Sequence, residues 1–186
     1  MQQDHQQVQP SIPTPIAPPQ RSGLRIAAVV FLVAASLLYV RSHVFRAPKH
    51  LDVAALDMRK LSGDPLEPAS FQGKAVVLNF WAPWCGPCRL ETPALQQLQA
   101  GHPNDLVVIG VDDDPETYIE AALFATTRGV TYPLVRKNAA MLNSIGATET
   151  IPTTFYINSS GAVVHTTVGA VSEARMEAYA KDALHR

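Results

Sequence analysis

The sequence predicts an α/β fold with a central mixed sheet flanked by helices, preceded by a single transmembrane helix. Runs rich in β-branched residues alternate with helical patterns between residues 56 and 185, which is typical of a mostly parallel sheet covered on both faces. The turn sequence NSSG, Asn158–Gly161, separates two such runs and predicts a hairpin that adds an antiparallel edge. An uncharged apolar run, Ile26–Val40, precedes all of these elements.

The first predicted segment is a tail at residues 1–23, rich in Gln and Pro and almost without large apolar side chains. Such a composition cannot bury a core, so we expect a disordered tail. A ligand for proline-recognising domains is the alternative interpretation.

Residues 24–45 are predicted to be a membrane anchor. As a helix, the uncharged run Ile26–Val40 spans only about 22 Å, against roughly 30 Å for the hydrocarbon core of a bilayer. Flanking apolar residues extend the span if Arg25 and Arg41 reach toward the lipid headgroups. A cleaved signal peptide is the alternative, but no favourable small-x-small cleavage sequence follows the run.

Residues 46–186 are predicted to be a linker and one α/β domain. The predicted strands lie near Leu56–Leu61, Ala75–Phe80, Leu106–Val111, Leu134–Val135, Thr154–Ile157 and Val163–Val168. The predicted helices lie near Cys85–Gln99, Glu116–Arg128, Ala139–Ile145 and Glu173–His185. Two helices carry apolar stripes that we expect to face the sheet: Ile119, Ala122 and Leu123 on one, and Met176, Tyr179, Ala180, Ala183 and Leu184 on the other.

The chain has two cysteines, Cys85 and Cys88, separated by Gly86 and Pro87. A disulfide between them would close too short a loop to stabilise the fold appreciably. Zinc needs four ligands, and no second pair of Cys or His lies at ligand spacing. A redox pair is the interpretation that remains.

The flanking residues favour the redox interpretation. Ala75–Phe80 predicts a buried strand, and the pattern after it predicts a helix that begins near Cys85. Cysteines at i and i+3 in a first helical turn can bond, and the helix N-terminus favours a thiolate. We therefore expect Cys85 to be the exposed nucleophile and Cys88 the resolving thiol. Trp84 is predicted to form an apolar wall beside the Cys85 sulfur, or else simply to pack in the interior.

At this point the sequence resembles a known family. WCGPC, Trp84–Cys88, resembles the thioredoxin active site, and TIPTTFYI, Thr150–Ile157, resembles the loop in which thioredoxins hold a cis proline, here Pro152. With VVIGVDDDPE, YPLV and the apolar N-terminal run, the pattern resembles the TlpA/ResA/DsbE group of membrane-anchored thioredoxin-like proteins. The resemblance covers about residues 51–186 and implies a thioredoxin-like fold.

The resemblance also implies a function. It implies a thiol-disulfide oxidoreductase acting on protein disulfides, with apocytochrome c as a candidate substrate in cytochrome c maturation, and a membrane electron donor that keeps the cysteine pair reduced. Gly86 and Pro87 form the dipeptide of reducing thioredoxins, which favours a reductant. Ile151 and Pro152 would form a groove edge for an extended substrate segment. No cofactor or metal is expected, and a net charge of −1 gives no electrostatic argument for nucleic acid.

The orientation of the anchor rests on two arguments that disagree. Two Lys or Arg residues precede the apolar run and three follow it closely, which by the positive-inside rule favours a cytoplasmic C-terminal domain. The resemblance implies the opposite, a single-pass protein of the bacterial inner membrane with its redox domain in the periplasm. We adopt the second orientation as the prediction.

Two positions depart from ordinary thioredoxins. Asn79 stands where they carry a buried Asp, and an amide cannot accept a proton. Glu91 stands where ResA-like proteins carry a functional Glu, three residues after Cys88 and therefore on the same side of the helix. Glu91 is predicted to take the proton from Cys88; a solvated Glu on the helix surface is the alternative.

The acidic run Asp112–Asp114, followed by Pro115, is predicted to be a turn that caps the next helix rather than a cation site. Asp114 would be the cap and Pro115 the first helical residue. A second class of function stays open, namely a non-catalytic carrier of haem or copper on the same fold. A peroxidase is disfavoured, because Ala82 occupies the position where a Thr or Ser is expected.

Overall fold

The structure is a computed structural model that describes residues 22–43, 48–146 and 150–186 and, in the first range, the side chains of residues 26–36. The chain divides into two units, Met1–Val44 and Phe45–Arg186. The predicted tail falls mainly on residues 1–21, outside the described residues.

The first unit contains helix α1, Ser22–His43, which covers residues 24–43 of the predicted anchor; residues 44 and 45 lie outside the described residues. Among the residues that the structure describes, no helix is long and apolar enough to cross a membrane. The anchor therefore stays a prediction.

The second unit is built on one mixed sheet of six strands. The strands are β1 Arg59–Lys60, β2 Ala75–Trp81, β3 Leu106–Asp112, β4 Leu134–Arg136, β5 Thr153–Ile157 and β6 Val163–Val168, in the spatial order β1-β4-β3-β2-β5-β6. Strands β2, β3 and β4 run parallel, whereas β1, β5 and β6 pair antiparallel. The predicted hairpin between β5 and β6 is confirmed, with the Asn158 side chain accepting the backbone N–H groups of Ser160 and Ala162.

Helices and loops cover both faces of this sheet. The helices are α2 Gly86–Gly101, α3 Tyr118–Arg128, α4 Ala139–Ile145 and α5 Glu173–His185. Alternate residues of β2 enter different cores: Val76, Leu78 and Phe80 pack with α4 and the segment before β2, whereas Val77 and Trp81 pack with α2 and α5. Both cysteines belong to the second core, which therefore holds the candidate site.

Two predicted boundaries are wrong. Leu56 does not begin a strand but ends a short 3-10 helix, Val53–Leu56, after which Asp57 takes a left-handed conformation at φ 44°. Helix α3 begins at Tyr118 rather than Glu116, because Asp114 instead closes a turn in which its side chain accepts the Glu116 N–H at 3.0 Å.

The predicted inner stripe of α3 is also wrong. Ile119 and Leu123 are 83% and 63% exposed, whereas Ala121 is fully buried. The reason is the aromatic contact between Phe124 and Trp81, whose ring centroids lie 5.3 Å apart and which turns the Ala121 side of α3 toward the sheet. The α5 stripe is confirmed at its centre, where Met176, Ala180 and Ala183 are buried.

Candidate active site

Strand β2 and helix α2 bring the two cysteines to one end of the sheet. β2 is buried along its whole length between β3 and β5. The chain leaves its carboxyl end through residues 82–84 and enters α2, for which Cys85 is the N-cap residue. A rigid central strand thus sets the position of the helix start.

Cys85 and Cys88 are joined by a disulfide, with their Cα atoms 5.3 Å apart. The Cys85 Sγ accepts the backbone N–H of Cys88 at 3.2 Å, so this sulfur lies where a helix N-terminus stabilises an anion. The expected exposure of Cys85 is wrong for this oxidised form, in which Cys85 is 5% and Cys88 2% exposed. In this form the Cys85 sulfur lies against the Cys88 N–H in the first turn of α2.

The loop before β5 lies at the same end of the sheet. The Ile151–Pro152 peptide bond is cis. Thr153, the next residue, pairs with Phe80 near the carboxyl end of β2, so Pro152 lies beside the turn that carries the cysteines. Ile151 is half-buried and packs against the core that contains both cysteines. The structure therefore brings together the two segments that the sequence analysis singled out.

Glu91 is a buried carboxyl rather than a solvated one. It is 4% exposed, and its Oε1 accepts the Val171 backbone N–H at 2.7 Å. Its Oε2 has no hydrogen-bond partner among the described residues. Burial raises the pKa of Glu91 above its usual range, and the Val171 N–H opposes that rise. A carboxyl with a raised pKa, one helical turn after Cys88, is suited to proton transfer.

Asn79, on β2, stands where ordinary thioredoxins carry a buried Asp. It is buried on β2, and its Nδ2 donates to Thr154 Oγ1 at 2.9 Å. The amide has no titratable proton, so it contributes hydrogen bonding but no acid–base chemistry.

Trp84 stands at the surface and does not pack in the interior. It is 63% exposed, and its Nε1–H donates to Asp114 Oδ2 at 2.8 Å. The Glu116 N–H and then the Trp84 N–H lower the pKa of Asp114. The acidic turn therefore holds the indole next to the cysteine turn.

The other two acidic residues of the run, Asp112 and Asp113, have different partners. Asp112 is fully buried and accepts the Thr117 hydroxyl, and burial raises its pKa to about 6. Asp113 pairs with Lys137 at 2.7 Å.

The sequence analysis missed both supporting contacts, Asp114 to Trp84 and Val171 to Glu91. The first had a usable signal: the sequence predicts a mostly parallel sheet, and the residues that follow the carboxyl ends of neighbouring parallel strands meet at one edge. The second had none, because Val171 lies 80 residues after Glu91 in a loop without a motif.

The comparisons with known proteins agree with this site. The profile of the Redoxin family matches residues 47–184. The chain belongs to the redoxin family. This redoxin is 26% identical to the thiol-disulfide oxidoreductase ResA of Bacillus subtilis over 164 residues, which are 86% of this chain and 92% of that protein. It is 32% identical to the thioredoxin-like protein YneN of the same organism over 124 residues, 64% of this chain and 71% of that protein.

A solved structure supports the same grouping. The thioredoxin-family thiol:disulfide interchange protein from Chlorobium tepidum TLS superposes with a TM-score of 0.59 at 28% identity, covering 75% of this redoxin and 97% of that chain. The predicted resemblance to the TlpA/ResA/DsbE group is thereby confirmed, as is the thioredoxin-like fold. This redoxin is a thiol-disulfide oxidoreductase of the ResA type.

Proposed function

We propose that the protein reduces disulfides of other proteins through Cys85 and Cys88. The observation that carries the proposal is the Cys85 sulfur at the N-terminus of α2, bonded to Cys88 and beside the Pro152 loop. The reducing direction rests on Gly86 and Pro87, the dipeptide of reducing thioredoxins.

The reaction is a sequence of two exchanges. The Cys85 thiolate attacks one sulfur of the substrate disulfide, and the other substrate sulfur leaves as a thiolate. The Cys88 thiolate then attacks the Cys85 sulfur of the mixed disulfide, which closes the Cys85–Cys88 bond and releases the second substrate thiolate. Two electrons pass from the cysteine pair to the substrate, and a membrane electron donor restores the pair.

Glu91 is proposed as the base for the second exchange. Cys88 must lose its proton before it attacks, and it lies in the buried core, where water is scarce. Glu91 lies one turn further along α2, is also buried, and has a raised pKa that makes it a stronger base than an ordinary carboxylate.

Ile151 is proposed to bind the substrate through its backbone. It makes no backbone hydrogen bond with other residues that the structure describes, and it flanks Pro152 next to the cysteines. An extended substrate segment could pair with this free edge as an added strand. Trp84 and the half-buried Ile151 side chain would supply apolar contacts.

The experiment uses the full chain and two cysteine variants. Wild type should speed reduction of insulin disulfides by dithiothreitol, and Cys85→Ser should be inert. Cys88→Ala should still attack but stall as a mixed disulfide, visible on non-reducing gels of cells, whereas the Cys85→Ser/Cys88→Ala double variant should show no adduct. Adducts that form through Cys88 in the Cys85→Ser protein would overturn the assignment of the nucleophile. No activity and no adducts would leave the carrier interpretation.

The adducts also test the substrate. We propose apocytochrome c, which would place the protein in cytochrome c maturation. Apocytochrome c as the main adduct of Cys88→Ala would support this dedicated role, and a broad set of adducts would contradict it.

The protein is further proposed to be anchored in the bacterial inner membrane with its redox domain in the periplasm. The described side chains of α1 support an apolar environment, since Ile26, Val29, Val30 and Phe31 are 59 to 73% exposed. Alkaline phosphatase fused after Arg186 should be active, and green fluorescent protein at the same site dark. The reverse result would overturn the orientation and favour the charge count.

A further inference from the structure

The loop between β6 and α5 is hydrogen-bonded to two parts of the candidate site. The Gly169 N–H donates to the Pro152 carbonyl oxygen at 2.8 Å, and two residues later the Val171 N–H donates to Glu91 Oε1 at 2.7 Å. Two residues span at most about 7 Å, so these two hydrogen bonds lie close together. One short segment, residues 169–171, therefore contacts both the proposed substrate loop and the carboxyl of the proposed base.

Both ends of this segment are fixed. Before it, β6 ends at Val168, which pairs with Thr153 of β5. After it, Ser172 is the N-cap residue of α5. Val171 itself is half-buried and packs against the core that contains both cysteines. The segment is therefore held by the sheet on one side and by α5 on the other.

The conformation of Gly169 turns the chain between the two hydrogen bonds. Its φ is 82°, in the left-handed region that residues other than glycine rarely adopt. A Cβ atom here would meet nothing within 4 Å. The backbone conformation, and not a lack of space, therefore requires glycine, and this conformation determines where the N–H groups that follow it point.

The Val171 N–H favours the charged form of Glu91. Burial raises the pKa of this carboxyl, and the Val171 N–H opposes that rise. The phenols of Tyr132 and Tyr156 respond to the Glu91 charge, but burial raises the pKa of both far above the range in which a carboxyl titrates. Five ionisable side chains of β6, α5 and the end of α2 are engaged in ion pairs, namely His102, His165, Glu177, Lys181 and Asp182. Among the residues that the structure describes, Val171 is thus the hydrogen-bond donor that stabilises the Glu91 carboxylate.

We propose that this segment is a positioning element of the active site, which holds Glu91 and the Pro152 loop in one fixed arrangement. Gly169 anchors the segment on the loop, and its left-handed conformation aims the Val171 N–H at the carboxylate. The inference rests on the proposed role of Glu91 as the base for Cys88. The adduct that Cys88 resolves forms beside Pro152, so a base that is fixed relative to this loop is also fixed relative to the adduct.

The test is the titration of Glu91 in the oxidised full-length chain, purified in detergent, where the disulfide-bonded cysteines do not titrate. Carbon-13 NMR of labelled glutamate carboxyls, assigned with Glu91→Gln, gives this pKa without any turnover. Gly169→Ala strains the left-handed conformation and displaces the Val171 N–H, so the pKa of Glu91 should rise by about one unit. Gly169→Asn should raise it less, because Asn enters the left-handed region more readily than Ala.

The matched control is Gly129→Ala, at the end of α3. Gly129 also has a left-handed φ, 65°, and a Cβ atom there would meet nothing within 4 Å either. This variant should lose stability, as Gly169→Ala does, but leave the Glu91 titration unchanged. An unchanged titration in Gly169→Ala, or an equal rise in Gly129→Ala, would overturn the proposal.

A measurement on the unaltered protein covers the case in which Gly169→Ala does not fold. Proton–nitrogen NMR follows the amide resonances of the segment as the pH changes. The Val171 and Gly169 resonances should both shift at the midpoint of the Glu91 titration, and neither should shift there in Glu91→Gln. A Gly169 resonance that does not follow Glu91 would overturn the proposal, because the carboxyl and the Pro152 loop would then not be joined through this segment.

A kinetic readout separates the inference from the proposed function. In Gly169→Ala, the pH profile of Cys88-dependent release should move upward by the same amount as the Glu91 pKa, and the change should vanish in a Glu91→Gln background. A wild type that reduces no disulfide would overturn the proposed function, and the NMR titrations would still decide the inference.

Discussion

At the residue scale, the side chain that can accept a proton stands on α2, as Glu91, and not on β2, where Asn79 stands. Asn79 lies on β2, the strand that leads to the cysteines, and donates a hydrogen bond to Thr154. Glu91 comes from the helix above, with one oxygen bound by Val171 and the other without a partner. The only one of these two side chains that can take a proton is therefore on α2, on the same helix as the thiol that it would serve.

Glu91→Gln tests this role. The amide keeps the shape and can still accept the Val171 N–H but cannot take a proton, so release of the mixed disulfide by Cys88 near neutral pH should slow on the order of a hundredfold. The initial attack by Cys85 should change much less. Rapid mixing with a fluorescent disulfide substrate resolves the two steps.

The control is Glu173→Gln, an exposed carboxyl at the start of α5. It should leave both rates at their wild-type values. If Glu91→Gln also leaves both steps unchanged, Glu91 is a buried structural residue and not the base.

At the scale of elements, the indole of Trp81 lies against both α3 and β3. The ring packs on Phe124 of α3 and also lies over Gly110 of β3. A Cβ atom at Gly110 would lie 2.5 Å from Leu134 Cδ2 and 3.0 Å from Trp81 Nε1. Only glycine leaves room for the indole and Leu134 at this position.

Gly110→Ala is therefore expected to lower the free energy of unfolding by about 1 to 3 kcal/mol, since Leu134 must move within a packed core. Gly101→Ala is the control, because nothing lies within 4 Å of a Cβ there. Alanine should be neutral or slightly stabilising at the end of α2. Denaturant unfolding of the oxidised proteins measures the free energy of unfolding of both variants. If Gly110→Ala were as stable as Gly101→Ala, the space beside Trp81 would not be filled.

At the scale of the whole molecule, a carboxyl buried at the carboxyl end of β3 couples folding to pH. Burial raises the pKa of Asp112 from 3.8 to about 6. A group whose pKa is higher in the folded state contributes stability below its unfolded pKa and loses that contribution as the pH rises through its folded pKa. From this group the fold is thus favoured near pH 4 and disfavoured above about pH 6.

Asp112→Asn removes this dependence and keeps the acceptor for the Thr117 hydroxyl. Relative to wild type, the free energy of unfolding of the variant should rise by about 2 to 3 kcal/mol between pH 4 and pH 7. Asp105→Asn, at an exposed position, is the control and should show no such trend. If the free energy of unfolding of Asp112→Asn and of wild type changed in parallel with pH, the folded state would not raise the pKa of Asp112.

Much of the fold and of the site followed from local patterns. The bounds of α4 and α5 match their predicted bounds, β2 contains the predicted strand Ala75–Phe80, and the cysteine pair at i and i+3 lies at a helix start. Hydrogen bonds within a helix and the alternation of a strand join residues that are close in sequence, so a short segment contains most of the information that determines them.

Tertiary structure decided the rest. The outward face of Ile119 and Leu123 follows from the contact of Phe124 with Trp81, and the buried carboxyl of Glu91 is bound by the Val171 N–H, 80 residues away. An apolar stripe shows that a helix has a face to bury, but which face meets the sheet depends on the side chains that the neighbouring elements present. Burial, and with it the pKa of a carboxyl, depends on packing between segments that are distant in sequence, and no local pattern encodes that packing.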